Sequence, residues 1–157
     1  PPMFVDVVNV TSAADMADVV KSRAAEQDII IMTAAVADFC PSHPADEKIK
    51  KNDSSYESVI ELERTEDILS YLGAHKAKGQ LICGFSMETQ NMLENSKAKL
   101  AKKNADMIVA NNLKVAGAGF GTDTNVVTLI TADDCTELEI MDKSCVAAKI
   151  MDRLLQM

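Results

Sequence analysis

Apolar positions along this chain follow two alternating periods. Phe4-Val5-Asp6-Val7-Val8-Asn9-Val10 is rich in β-branched residues and predicts a strand. Thr11-Ser12 then offers an N-cap, with Asp15 in the first turn. Met16, Val19, Val20 and Ala24 follow at helical spacing, so a helix runs to about Gln27. Ile29-Ile30-Ile31-Met32 is a continuous apolar run, the pattern of a strand covered on both faces. A long polar stretch from Ala37 to about Tyr56 follows, and a connection of that length is more often functional than idle.

The alternation then resumes. Ser58 to Arg64 predicts a strand, and Thr65-Glu66-Asp67 opens a helix that ends near Lys78-Gly79. Leu81 to Phe85 predicts a strand, Glu88 to Asn104 a lysine-rich helix, and Asp106 to Ala110 another buried strand ending at Asn111-Asn112. Asn125 to Thr131 and Glu137 to Met141 read as a hairpin, and Asp142 caps a last helix ending near Leu155. Strand and helix alternate, then a hairpin and a helix close the chain. That order predicts an α/β fold, a Rossmann-like doubly wound mostly parallel sheet with a C-terminal antiparallel hairpin and helix.

Charge narrows the function. The formal net charge of −8 excludes non-specific nucleic-acid binding, which needs a basic face. An acidic protein that binds polyanions must gather its few cations in one place. No apolar run approaches the roughly 20 residues of a membrane span. The four cysteines stand far apart with no C-x-x-C pair, which reads as reduced thiols in the cytoplasm. His43 and His75 lie in no zinc-ligand pattern.

In open α/β sheets ligands sit beyond the carboxyl ends of the strands. That rule selects Ala34 to Asp38, Phe85 with Glu88, and Asn111-Asn112 as one rim. Lysines cluster on the long loop (Lys48, Lys50, Lys51) and on the helix after Phe85 (Lys97, Lys99, Lys102, Lys103). Lys99 and Lys103 are four apart and share a helix face. They read either as a solvated surface or as a polyphosphate site, where charge-assisted contacts are short and strong. Asp38 either caps a turn or binds a ribose hydroxyl or magnesium. Gly117-Ala118-Gly119-Phe120-Gly121 leads into a strand, not a helix, so it reads as a turn and not a dinucleotide loop. With no G-x-G-x-x-G or Tyr-x-x-x-Lys, an NAD-dependent oxidoreductase suits the fold but not the residues.

Several of these segments resemble one family. Ala34-Ala35-Val36-Ala37-Asp38-Phe39 followed by Glu47-Lys48-Ile49-Lys50-Lys51 is similar to the A-A-V-A-D-[YF]…E-K-I-K-K signature of phosphopantothenate–cysteine ligase. Gly84-Phe85-Ser86-Met87-Glu88-Thr89 resembles its G-F-x-x-E-T. Lys99, Lys103, Asn104, Asp106 and Ala110-Asn111 resemble its K-x(3)-K-N-x-D…A-N segment. Gly119 to Asn125 resembles its G-F-x-x-D-x-N turn. The motifs occur in order over nearly the whole chain.

The resemblance implies a ligase of coenzyme A biosynthesis that joins 4′-phosphopantothenate to cysteine through an acyl-cytidylate, converting CTP to CMP and pyrophosphate with Mg2+. The base choice, CTP or ATP, is left to backbone contacts. It implies that Lys48, Lys99 and Lys103 hold the triphosphate, with Lys48 closing over the reacting phosphate as the catalytic lysine. Asp38 would bind the nucleotide through ribose or metal, and Phe85 would pack on the nucleoside. Backbone around Met32, Thr33 and Ala34, and around Glu66, Asp67, Ile68 and Leu69, would complete the pocket. A homodimer is implied, with the hairpin at 125–141 a candidate dimer element. FMN is implied only where a flavin-dependent decarboxylase is fused upstream. Residues 1–157 would be a single domain, the C-terminal portion of the ligase domain without its first βα unit. The alternative is a fragment that binds nucleotide and dimerises without full activity. One departure stands out: the family's Asn-Pro-Asp reads Thr65-Glu66-Asp67 here, adding a carboxylate near the expected phosphates.

Overall fold

The computed structural model describes residues 3–45, 47–48, 59–88, 91–112 and 121–157. In chain order the elements are α1 (Ala13–Ala24), β1 (Ile29–Met32), β2 (Phe39–Pro41), β3 (Leu62–Arg64), α2 (Ile68–Ala74), β4 (Leu81–Glu88) and α3 (Met92–Lys103). Then come β5 (Met107–Asn112), β6 (Thr124–Asn125), β7 (Val127–Ile130), β8 (Cys135–Glu137), β9 (Met141–Asp142) and α4 (Lys143–Leu154).

The main sheet has the order β1-β4-β5-β7-β8. β1, β4 and β5 run parallel, with Met32 opposite Gly84 and Phe85 opposite Val109. β7 then adds antiparallel to β5, and β8 adds antiparallel to β7. This is the expected α/β architecture, parallel where helices connect the strands, with a short turn joining the antiparallel pair β7 and β8. Thr131 and Asp134 close that turn, with Thr131 N–H on the Asp134 carbonyl (2.9 Å) and Asp134 N–H on Thr131 Oγ1 (3.1 Å).

Helices cover both faces because the strand side chains alternate. On one face Cys83, Met107, Val109, Val127 and Leu129 pack against Val146, Ile150 and Leu154 of α4. Those three recur every four residues, which keeps them on one helix stripe. On the other face Ile82 packs with Ile68 and Leu72 of α2 and Ala17 of α1. Gly84 points to this side. A Cβ there would stand 2.7 Å from Leu69 Cδ2 and 3.1 Å from Ile108 Cδ1, so glycine lets Leu69 settle onto the strand.

α1 begins at a capping box. Asp15 N–H donates to Ser12 Oγ (3.1 Å) and Ser12 N–H donates to Asp15 Oδ2 (2.9 Å). Hydrogen bonds from the Thr11 and Ser12 side chains and backbone hold the Asp15 carboxyl below its usual range.

Several boundaries differ from the sequence expectation. Residues 5–10 form no strand, and Phe4, Val5, Val7 and Val8 are exposed. β-propensity needs a neighbouring strand to satisfy the backbone, and this segment has no ladder partner among the described residues. β1 is an edge strand and only half-buried, not covered on both faces. The long polar stretch contains β2, which pairs antiparallel with β3 in a separate two-stranded ribbon. Three residues are too few to show a period. α2 ends at Ala74, well before Gly79: His75 leaves the helical backbone region (φ −110°, ψ 13°), and Lys76 pairs with Asp106. α3 starts at Met92, since β4 runs on to Glu88. The partner of β7 is 135–137, not 137–141; β9 pairs instead with β6. Ile49, Lys50, Lys51, Gly117, Gly119 and Phe120 lie outside the described residues.

All four cysteines are free. Cys83 is fully buried, and burial, aided by the Asp106 carboxylate, pushes its thiol up to about 12. We therefore expect Cys135 and Cys145, which are exposed, to react rapidly with a thiol-specific disulfide reagent. Cys83 should react only on unfolding. Because its folded pKa is raised, stability should be flat below the unfolded thiol pKa near 9 and fall as pH rises from there toward 12. Rapid labelling of Cys83 in the native protein would refute this.

Candidate functional site

A cavity of about 180 Å3 opens at the carboxyl ends of β1 and β4. Met32 ends β1, Phe85 lies in the second half of β4, Ala34 and Asp38 come from the loop after β1, and Ile68 and Leu69 from the start of α2. Glu66, Asp67, Lys99 and Lys103 also line it. These ten are residues that the sequence pointed to, and the crossover topology brings them together. Thr33 is exposed and is not among the lining residues, and neither is Lys48, which is exposed on the connection between β2 and β3. Asn111 lies elsewhere, with its Oδ1 accepting from Asn125 Nδ2 (2.8 Å).

Val36 and Ala37, within the rim segment 34–38 that the sequence selected, also line it, and Thr65, which the sequence reading missed, completes the lining. Thr65 fastens the two loops of the cavity. Its N–H donates to the Asp38 carbonyl (3.0 Å), and its hydroxyl donates to the Ala37 carbonyl. A hydroxyl in the position where a related motif has Asn was the available signal.

The two lysines occupy one wall in different ways. Lys99 Nζ donates to the Phe85 carbonyl (2.8 Å). Lys103 Nζ forms an ion pair with Asp67 and donates to Ser70 Oγ (3.0 Å). Asp67 also caps α2, accepting from Ser70 N–H (3.0 Å). Partial burial works to raise the Asp67 pKa, but the hydrogen bonds from Lys103 and Ser70 outweigh it and hold the carboxyl below its usual range.

The extra carboxylate at Glu66 is neutralised locally. Lys21 of α1 pairs with it at 2.7 Å and lies 5.4 Å from the Tyr71 ring centroid. The hydrogen bond to Glu66 raises the Lys21 pKa above its ordinary value. The departure at Thr65-Glu66 therefore adds a loop fastening and an ion pair, not an uncompensated negative charge.

No group of three or more His, Cys, Asp or Glu side chains among the described residues is arranged to hold a metal ion. Asp38, Glu66 and Asp67 nonetheless place carboxylates around the cavity. Magnesium takes one or two carboxylates and draws its other ligands from phosphate and water. The residues fit an ion that arrives with a phosphate ligand, not a resident one. Among the described residues no helix is long and apolar enough to cross a membrane.

Known proteins resemble this chain in sequence and in fold. The chain is 46% identical over 155 residues to the coenzyme A biosynthesis bifunctional protein CoaBC of Bacillus subtilis (strain 168), covering 98% of this chain and 37% of that protein. It is 45% identical over 152 residues to a protein described as cysteine/cysteine sulfinic acid decarboxylase from an unknown prokaryotic organism, covering 96% and 42%. The chain thus spans about two fifths of the length of these curated relatives. A crystal structure of the C-terminal domain of coenzyme A biosynthesis bifunctional protein CoaBC superposes with a TM-score of 0.79 at 41% identity, covering 99% of this chain and 69% of that one. The family model described as DNA/pantothenate metabolism flavoprotein C-terminal domain matches residues 1–157, and the chain belongs to that family.

Proposed function

We propose that this chain carries the nucleotide site of a phosphopantothenate–cysteine ligase that acts in the cytoplasm. The observation that supports it most is the wall formed by Lys99 and Lys103 beside Phe85, at the strand ends where α/β sheets bind ligands. In the proposed reaction a carboxylate oxygen of 4′-phosphopantothenate attacks the α-phosphorus of CTP. The bond to the β-phosphate oxygen breaks and pyrophosphate leaves with its electron pair. The cysteine amine then attacks the acyl carbon, CMP departs, and the amine proton passes to solvent or to the departing phosphate.

Such chemistry needs positioning and charge neutralisation more than covalent help. Without ligand, the lysine ammoniums rest on the Phe85 carbonyl and on Asp67 with Ser70. Phosphate oxygens replace these acceptors when nucleotide enters. Asp38 holds the ribose or the magnesium that accompanies the phosphates, and magnesium supplies charge neutralisation on the phosphate oxygens. Lys48 closes from its exposed loop over the reacting phosphate. Backbone at Met32, Thr33 and Ala34, and at Glu66, Asp67, Ile68 and Leu69, completes the pocket. The enzyme works as a homodimer. β7 of the 125–141 hairpin is buried between β5 and β8. The exposed Phe39, Leu62, Val59 and Ile60 at the β2–β3 ribbon make the better dimer surface. A second reading, nucleotide binding and dimerisation without turnover by this chain alone, draws on its covering only 37–42% of the curated relatives.

Calorimetric titration of CTP with magnesium, with ATP as control, tests the site. We expect CTP-selective binding, about tenfold weaker in Lys48→Gln, in line with loss of one mobile charge-assisted contact of about 1.5 kcal/mol. Binding of neither nucleotide by the unaltered chain would sink the proposal.

A further inference from the structure

Lys103 reaches the cavity by an indirect route. Asp67, Ser70 and Gly73 stand three residues apart along α2, so they form one stripe. The last turn of α3 lies against that stripe at its far end. A Cβ at residue 73 would stand 1.8 Å from the Lys103 carbonyl oxygen and 2.8 Å from its carbon. Only a residue without a side chain permits this backbone-to-backbone approach.

The approach is locked. Asn104 adopts a left-handed conformation (φ 49°) that ends α3 directly after Lys103. Its Nδ2 donates to the Gly73 carbonyl at 2.7 Å. From that anchor the Lys103 side chain runs back along α2 to Ser70 and Asp67 at the cavity rim. It is 13% exposed, far less than an ordinary surface lysine. Glycine is the poorest helix former apart from proline, so its presence in the short α2 disfavours that helix unless the close contact is needed.

We propose that Gly73 and Ser70 are positioning residues for nucleotide binding. Gly73 fixes how near the Lys103 backbone stands to α2, and Ser70, with Asp67, fixes where the ammonium stops. The inference rests on the nucleotide reading of the cavity, but Lys103 itself can be observed without nucleotide.

The test uses Gly73→Ala and Ser70→Ala, each made alone and in a Lys103→Gln background. Three quantities are measured: CTP–magnesium affinity, urea unfolding, and the 13C shift of reductively methylated Lys103 without nucleotide. Positioning predicts about tenfold weaker CTP binding for Gly73→Ala and about threefold for Ser70→Ala. Both losses should vanish in the Lys103→Gln background, because coupled residues are non-additive, and both variants should move the Lys103 resonance. Equal losses in that background, or unchanged affinity in folded variants, would overturn the proposal. If Gly73→Ala does not fold, Ser70→Ala decides by the same criteria. If the unaltered chain binds no CTP, the ligase reading fails while the resonance still decides this one: a shift in either folded variant upholds positioning, and no shift refutes it.

Discussion

Replacing Asp106 with alanine is expected to lower the unfolding free energy by about 2–3 kcal/mol, the cost of orphaning a buried amide together with loss of a partly buried ion pair. Asp106 joins three elements. Its Oδ1 pairs with Lys76 Nζ at 2.8 Å, and its Oδ2 accepts from Ile82 N–H at 2.7 Å. Its own N–H donates to the Ile82 carbonyl at 2.8 Å. Ile82 is fully buried at the start of β4, so its amide would lose its acceptor where water does not readily replace it. An orphaned buried donor costs about 1–3 kcal/mol. Lys76 would also lose its partner while about one-fifth exposed, which limits that part of the loss. Lys76→Met should cost less, about 1 kcal/mol, because Asp106 keeps the Ile82 bond and the methionine retains the packed stem. Urea unfolding followed by circular dichroism gives both numbers. Equal costs for the two variants would mean that the amide bond to Ile82 contributes little.

The double variant Lys99→Gln/Lys103→Gln is expected to weaken CTP–magnesium binding at least about 100-fold while leaving the fold intact. Each charge-assisted contact to phosphate contributes about 1.5–3 kcal/mol, and two together give about 3 kcal/mol or more. Stability should fall by about 1–2 kcal/mol, because the half-exposed Asp67 limits the ion-pair loss while the bonds of Lys99 to the Phe85 carbonyl and of Lys103 to Ser70 are lost as well. The pH response follows from Asp67. Its folded pKa is depressed, so its contribution to stability is present above the unfolded carboxylate value and is lost as pH falls through the lowered one. Acidification through that window also releases Lys103. Calorimetry at neutral pH checks the main prediction. Binding within threefold of the unaltered chain would remove the lysine wall from the nucleotide site.

Much of the site was legible in the primary structure for a definite reason. Lys99 and Lys103 share a face by helix geometry alone, and the strand-end rule selects Ala34, Asp38 and Phe85 without coordinates; Met32 entered only through the resemblance. Lys48 and Thr33 were named by motif position, which carries no information about distance to a cavity; both lie outside the lining. Thr65 was passed over because a hydroxyl in a loop acquires meaning only when the carbonyls of Ala37 and Asp38 come within reach.

The elements follow the same division. By itself the sequence determined the local and periodic features: the Ser12–Asp15 capping box, the apolar runs of β1, β4 and β5, the stripe of α4, and the alternation that yields an α/β sheet. These depend on neighbours within a few residues, where residue type alone sets the energy. Only the tertiary structure decided that residues 5–10 form no strand, that β1 lies at an edge, and that α2 stops short at His75. It also decided that Glu66 is paired with Lys21 and that Gly73 admits the backbone of Lys103. Each of these turns on whether residues distant in sequence meet, because hydrogen-bond partners and excluded volume are set only once the chain has closed on itself.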